Sequence, residues 1–185
     1  MKYYIEPARI LQLTSGLFCF MASDDNSLAI YLHIPFCTTK CTYCAFNTYT
    51  HIEHLIPAFV DALVREINIV GQSNPYEEVV SIYFGGGTPS LLSAKQFETV
   101  LDALRRYFIV SPYCEITTEA NPNDLDMTYL CELRSVGIER LSIGMQSAVQ
   151  SELDLFARRH DLEQVNQAML SARTVLLRNM KINNE

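Results

Sequence analysis

Three cysteines lie within eight residues of one another, Cys37, Cys41 and Cys44, with the spacing C-x3-C-x2-C. Three thiolates on one tight loop can hold three corners of a cubane iron–sulfur cluster. The fourth iron of such a cluster then has no protein ligand, so it can bind a small molecule and pass it an electron. The spacing therefore favours a catalytic cluster over an electron-transfer centre, where four protein ligands are usual.

Two other interpretations of these cysteines stay open. Zinc usually takes four ligands, often from paired C-x2–4-C elements. His33, His51 or His54 would have to supply the fourth ligand, and none has a partner at the usual H-x3–5-H spacing. Unligated buried cysteines are common, but three of them on one short loop are hard to explain as core residues.

Composition describes a chain able to bury a sizeable core. Its 185 residues are 49% apolar and 19% charged, which favours one domain. The net charge of −7 argues against nucleic acid as a partner. No uninterrupted apolar run reaches 18 residues, so no stable membrane insertion is expected. Free thiols and a cluster fit a reducing cytoplasm. The scattered cysteines lie in apolar contexts and are predicted as small core residues: Cys19, Cys114 and Cys131.

The chain divides most simply at residue 27. Residues 1–27 are expected to form a mobile or loosely docked extension, with Asp24–Ser27 as the linker. Their apolar stretch resembles a signal peptide only faintly, because one lysine precedes it and polar residues interrupt it. Residues 28–185 would then form the core domain.

Buried-type strands, loops and helices alternate four times along the core domain. The pattern predicts an α/β fold in which a parallel sheet carries its helices outside. The predicted strands are Leu28–Ile34, Val79–Phe84, Cys114–Glu119 and Arg140–Ile143. The predicted helices are Glu53–Val70 with a stop at Gly71, a helix from Ser93 to Phe108 with a Ser93–Gln96 capping box, Asp126–Val136, Ser151–Phe156 and Leu162–Leu177.

Each candidate motif follows the carboxyl end of a predicted strand. The cysteine loop follows the first strand, the Gly85–Gly87 turn the second, Glu119 the third and Gln146 the fourth. Chemistry in such folds collects at this rim. Glycines without side chains let a ligand lie against the backbone. The turn matches neither the P-loop nor the dinucleotide-binding pattern.

Four further side chains are candidate site residues. Glu119 could accept ribose hydroxyls or an amino group, and Gln146 could bond a ribose or an adenine edge. Arg158 offers a guanidinium for a carboxylate. Tyr31 shares a strand face with His33. Each also has an ordinary explanation: a surface charge, a helix start, a solvated turn and simple packing.

Several stretches together resemble one known family, the radical S-adenosylmethionine (SAM) proteins of the oxygen-independent coproporphyrinogen III oxidase-like group. The matching stretches, within residues 28–175, are IYLHIPFCTTKCTYCAF, IYFGGGTPSLL, EITTEANPNDL and GIERLSIGMQSAVQSELDLFARRH. The resemblance implies a partial (β/α) barrel of about four βα units. It also implies that Cys37, Cys41 and Cys44 hold a [4Fe–4S] cluster whose fourth iron binds SAM. The positions matching the family's SAM pocket are Tyr31, Gly86, Gly87, Thr88, Glu119, Gln146 and Arg158.

Within that group the chain is most similar to a branch of haem chaperones. The resemblance implies a protein that binds haem and passes it to acceptor proteins such as respiratory enzymes. Phe46 stands where the oxidases similar to this chain carry a further cysteine. Two alternatives remain: oxidative decarboxylation of coproporphyrinogen III, and a truncated metal-binding fragment without activity.

The sequence departs from the family after Val175. The family pattern would give a glycine, a short strand and an aspartate leading into a G-x-P loop, and Asn183 falls at the aspartate's place. A truncated barrel is therefore expected, whose fourth strand leaves an apolar parallel edge unpaired. Such an edge predicts marginal stability or self-association.

Overall fold

A computed structural model describes residues 10–12, 17–21, 27–73, 78–175 and 180–183, and its main feature is one seven-stranded sheet. A separate two-stranded ladder carries the start of the cysteine loop. In chain order the strands are β1 (Ile10–Gln12), β2 (Leu17–Met21), β3 (Ser27–Ile34), β4 (Phe36–Cys37), β5 (Tyr49–Thr50), β6 (Glu78–Gly86), β7 (Ile109–Ala120), β8 (Arg140–Gly144) and β9 (Met180–Asn183).

Helices follow the strands of the parallel part of the sheet. They are α1 (Ile56–Ser73), α2 (Ala94–Tyr107), α3 (Met127–Ser135), α4 (Gln150–Leu155) and α5 (Leu162–Thr174). Sheet order follows the chain, β1-β2-β3-β6-β7-β8-β9, and every pair from β3 onward is parallel. The predicted fold class, a partial barrel with four βα units, is confirmed.

The two faces of the parallel strands differ in chemistry because side chains alternate along a strand. One face is apolar and buried, as at Leu32, Phe84 and Ile143, and it belongs to the same core cluster as the helices. The opposite face carries Tyr31 and Tyr83, which are half-buried, together with other polar side chains. The sheet therefore presents a polar wall on the side away from its helices.

Two local predictions need correction. Gly71 does not end the first helix, since α1 continues to Ser73. A side chain at Gly71 would collide with Tyr107, so this glycine lets α1 approach the end of α2 closely.

Cys114 is buried as predicted, and burial raises the pKa of its thiol to about 11. Cys131 is exposed, contrary to the prediction, and the side chain of Cys19 lies outside the described part.

Two strands precede the predicted first strand. β1 pairs antiparallel with β2, and β2 pairs antiparallel with β3 from Leu17 opposite Leu32 to Met21 opposite Leu28. The expectation of a loosely docked segment is therefore corrected for residues 10–12 and 17–21. The missed signal was the apolar run Leu17–Met21, which was compared with a leader peptide and not with a strand. The proposed linker falls largely outside the described residues, and the division at residue 27 stays a prediction.

The chain after Val175 adds a strand. β9 pairs parallel with β8, with Leu141 opposite Met180 and Gly144 opposite Asn183. The prediction that the fourth strand leaves an unpaired edge is wrong, because the divergent sequence still supplies the short strand that the family pattern calls for. β9 is the last strand of the described sheet, and self-association through a sheet edge stays a prediction.

We expect Phe97→Ala to destabilise the chain by about 3–5 kcal/mol, because truncating a large core aromatic removes its apolar contacts and leaves a cavity. Phe97 on α2 is fully buried and packs edge-on against Phe84 of β6, with ring centroids 4.8 Å apart. Tyr113→Ala is the control, since this ring is 92% exposed and should change stability by less than about 0.5 kcal/mol. Urea unfolding of both variants measures the difference, and equal losses would contradict this description of the core.

Candidate cofactor site

The carboxyl ends of the parallel strands surround one open cavity. The cysteine loop, the glycine turn, the end of β7 and the loop after β8 all contribute to its wall. Nine of the ten predicted site residues line it: Cys37, Cys41, Cys44, Gly86, Gly87, Thr88, Glu119, Gln146 and Arg158. The convergence predicted from strand order is therefore present.

Contacts on two sides hold the cysteine loop. On one side, the Tyr49 amide donates to Pro35 O at 2.7 Å, within the β4–β5 ladder. On the other side, the Thr42 hydroxyl donates to Leu155 O at 3.0 Å. The ring of Tyr43 meets that of Phe156 edge-on, with centroids 5.1 Å apart. Thr42 and Tyr43 are thus fixed to the end of α4, 113 residues away along the chain in the case of the Thr42 bond.

The glycine turn lies directly against the loop's backbone. The Gly87 amide donates to Ile34 O at 2.8 Å, and the Thr88 amide donates to Phe36 O at 2.7 Å. A Cβ placed on Gly87 would lie 2.5 Å from Phe36 O and 3.0 Å from Cys37 Sγ. Because Phe36 O is a backbone oxygen that cannot move aside, the position requires glycine.

Cys37 is the most buried of the three clustered thiols. Burial raises the pKa of its thiol, and a hydrogen bond from the Thr88 hydroxyl, 3.5 Å away, opposes that rise. Iron binds the thiolate form, so loading a cluster onto this chain would release a proton from Cys37.

Glu119 ends β7 with both carboxylate oxygens engaged. The Tyr83 hydroxyl donates to Oε1 at 2.8 Å, and the Gly86 amide donates to Oε2 at 3.1 Å. Gly86 has a φ of +113°, and a Cβ there would meet the ring of His33. The carboxylate is therefore a fixed acceptor in the cavity wall, close to the glycine turn.

Gln146 and Arg158 face the cavity with unsatisfied polar atoms. Gln146 has a left-handed backbone, φ 68°, and its Oε1 is buried without a hydrogen-bond partner among the described residues. The Nε of Arg158 is likewise buried without a hydrogen-bond partner among the described residues. The two terminal nitrogens of Arg158 donate to Cys41 Sγ at 3.2 Å and to Gly144 O at 3.1 Å. Buried polar atoms without partners are uncommon in folded proteins, so they indicate a ligand.

The two residues after Arg158 hydrogen-bond to other segments of the chain. Arg159 donates to both carboxylate oxygens of Asp124 at 3.1 Å, and Asp124 also accepts from the Ser90 hydroxyl at 2.7 Å. His160 is buried, with Nε2 3.0 Å from Met145 O. Arg158 itself hydrogen-bonds a clustered cysteine, Cys41.

Tyr31 is the predicted site residue that is not among the cavity-lining groups. Its ring stacks on that of Tyr83 at a centroid distance of 5.9 Å, and its hydroxyl lies 3.3 Å from His33 Nδ1. Burial, assisted by the negative charge of Glu119, raises the pKa of Tyr31 to about 12. Tyr83 and Ser142 were not predicted as site residues, although strand alternation places both on the polar face with Glu119.

The donor set fits a cubane cluster and SAM. Three thiols lie in the wall of one cavity, a side-chain-free turn borders them, and Gln146 and Arg158 offer buried polar atoms without partners. Within the described ranges, no three His, Cys, Asp or Glu side chains are arranged around a single metal ion. A cubane places different demands on its ligands, because each thiolate binds a separate corner.

The sequence model of the radical SAM superfamily matches residues 31–183, and the chain belongs to that superfamily. Its relatives include two proteins named haem chaperone HemW. The one from Mycobacterium tuberculosis is 39% identical over 134 residues, covering 71% of this chain and 34% of that protein. The one from Escherichia coli K12 is 33% identical over 157 residues, covering 84% of this chain and 41% of that protein.

A solved structure agrees with both the fold and the family. It is the coproporphyrinogen III oxidase HemN from Escherichia coli, described as a radical SAM enzyme. It superposes with a TM-score of 0.76 at 30% identity, over 82% of this chain and 35% of that one. The chain thus spans about a third of the length of the relatives it matches first. No helix in the described ranges has the length and apolar character needed to cross a membrane.

We expect Gly87→Ala and Gly144→Ala to affect iron binding and SAM binding separately. At Gly87 the new methyl collides with backbone, so the variant should lose about 1–3 kcal/mol of stability and most of its iron after reconstitution. At Gly144 the new methyl meets the ends of Gln146 and Arg158 at 3.1–3.2 Å, so iron should stay bound while SAM binding weakens. Iron analysis and SAM dialysis test this, and full iron binding by Gly87→Ala would contradict it.

We expect His160 to make stability fall on acidification. Its pKa lies below the usual value because burial disfavours the imidazolium, with Arg158 and Arg159 adding repulsion, while the Met145 hydrogen bond and Asp161 oppose the shift. The unfolded chain therefore binds more protons between the folded pKa and about 6.5, and stability drops as the pH falls through that window. The melting temperature measured from pH 7.5 to 5.5 should fall more steeply for the unaltered chain than for His160→Gln.

His54→Gln serves as the control for this pH experiment, because His54 is exposed. It should keep the slope of the unaltered chain. An unchanged slope in His160→Gln would show that His160 does not couple folding to protons in this range.

Proposed function

We propose that this chain is the cluster- and SAM-binding part of a haem chaperone of the radical SAM superfamily. The observation that carries the proposal is the match to HemW relatives at 33–39% identity. Cys37, Cys41 and Cys44 are the proposed cluster ligands. A reducing compartment such as the cytoplasm suits these free thiols.

The SAM-binding roles follow from the wall of the cavity. Gly86, Gly87 and Thr88 offer backbone and hydroxyl groups, and the Glu119 carboxylate accepts hydrogen bonds. Gln146 Oε1 accepts from a ribose or adenine donor, and the guanidinium of Arg158 pairs with a carboxylate. When bound, a cluster with an open iron supplies one electron to the sulfonium of SAM. The protein's part is to orient the cofactor and exclude water.

Haem and its acceptor proteins are proposed from the relatives' names. The chain covers 34–41% of those HemW proteins, so the transfer of haem to acceptors such as respiratory enzymes is proposed for the whole protein. Phe46 and Tyr43 border the cavity with exposed rings, 61% and 45% accessible. Such rings suit the apolar face of a porphyrin.

Oxidative decarboxylation of coproporphyrinogen III is the second candidate. HemN, with its TM-score of 0.76 and 30% identity, favours it. Phe46 argues against it, because the resemblance places a cysteine there in the oxidases. Conversion of coproporphyrinogen III by reconstituted chain with SAM and a reductant would support this candidate and contradict the chaperone proposal.

The deciding experiment is anaerobic cluster reconstitution of the 185-residue chain, followed by electron paramagnetic resonance with and without SAM. We expect a reduced [4Fe–4S] signal that shifts when SAM is added, and haem uptake followed by optical titration. Cys41→Ser should abolish the signal, whereas Cys131→Ser should keep it, because Cys131 is an exposed thiol outside the cavity. A signal indifferent to SAM would contradict the SAM pocket, and zinc in place of iron would contradict the cluster.

A further inference from the structure

Tyr83 is a half-buried polar group that the proposed function does not use. It lies on β6 between Tyr31 of β3 and Thr117 of β7, its direct neighbours across the sheet. It is not among the residues that line the cavity, yet its hydroxyl is 2.8 Å from Glu119 Oε1. The hydrogen bond to Glu119, which does line the cavity, therefore links Tyr83 to the site.

We propose that Tyr83 is a positioning residue, which holds the Glu119 carboxylate in the orientation that receives SAM. The inference rests on the proposed function for its ligand, and on the geometry for its mechanism. A carboxylate on a strand end can rotate about its side-chain bonds. Two donors at different oxygens, Tyr83 on Oε1 and the Gly86 amide on Oε2, remove that freedom.

The surroundings of Tyr83 keep its hydroxyl oriented and protonated, so that it can donate to Glu119. Its ring stacks on Tyr31 with an interplanar angle of 15°, so the hydroxyl is aimed by packing on β3. Burial, and secondarily the charge of Glu119, raise the pKa of Tyr83, which keeps the hydroxyl protonated at neutral pH. A hydrogen bond from a neutral donor to a carboxylate is stronger than one between neutral groups.

The position of Glu119 is tied to the glycine turn by the same contacts. Gly86 lies in that turn and donates its amide to Glu119, while the adjacent Gly87 bonds to Ile34 just before the cysteine loop. Loss of the Tyr83 hydroxyl would remove the hydrogen bond at Oε1 and allow the carboxylate to rotate more freely. We therefore expect both the hydrogen bond from Gly86 to Glu119 and the affinity for SAM to weaken.

The first arm of the test uses the chain without cluster or SAM. Tyr83→Phe removes one hydroxyl and keeps the ring. Amide hydrogen exchange at Gly86, followed by NMR, reports whether Glu119 stays in place. We expect faster exchange at Gly86 in Tyr83→Phe. The control is Tyr129→Phe, which removes a comparable buried hydroxyl that donates to Leu92 O at 2.6 Å, away from the cavity. Unchanged Gly86 exchange in Tyr83→Phe would overturn the proposal.

The second arm measures SAM affinity of the reconstituted chain. Tyr83→Phe should weaken SAM binding about tenfold, the effect of losing one hydrogen bond to a charged group. Iron content should match that of Tyr129→Phe. In a Glu119→Ala background, which removes the acceptor, the same change should have little further effect, because a positioning residue acts through its partner. Additive losses would show that Tyr83 acts independently of Glu119 and would overturn the proposal.

The two arms separate this inference from the proposed function. Faster exchange at Gly86 in a chain whose unaltered form binds no SAM would support the orientation of Glu119 by Tyr83 and contradict the SAM pocket. Normal SAM binding in Tyr83→Phe, with the unaltered chain also binding SAM, would uphold the pocket and overturn the inference.

Discussion

The site depends on one close approach between two stretches of backbone. Gly87 and Thr88 donate to the carbonyls of Ile34 and Phe36, which bracket the entry to the cysteine loop. Nothing larger than hydrogen fits at Gly87, because backbone oxygens occupy the space that a side chain would need. Through this contact the end of β6 fixes where the first clustered cysteine can lie, and the remaining walls are arranged around that point.

The chemistry of the sheet explains why a cavity forms here. Apolar side chains on one face of each strand pack against the helices, so the sheet is stabilised without using its other face. The polar face is then free to carry Tyr31, Tyr83 and Glu119, and at the carboxyl ends it meets the loops. Stability and ligand recognition are thus assigned to opposite faces of the same strands.

Sequence patterns predicted much of this arrangement. Four strands with helices between them, the Ser93–Gln96 capping box and the shared rim all follow from periodicity and strand order, and all are present. The failures have local causes. The run Leu17–Met21 was too short to distinguish a strand from a leader peptide. The strand β9 depends on pairing with β8, and no pattern in the sequence of β9 itself predicts that pairing. Tyr83 was missed because its role lies in a hydrogen bond across strands, 36 positions away in the chain.

The bond between Thr42 and Leu155 has a consequence for the order of events during synthesis. The cysteine loop is made early, but its second support belongs to the end of α4 and leaves the ribosome more than a hundred residues later. Chains emerge from their amino terminus first, so the loop is exposed with its three thiols before its partner exists. A cluster that needs the supported loop would therefore be loaded late, and thiols exposed in the interval are open to oxidation unless the environment is reducing.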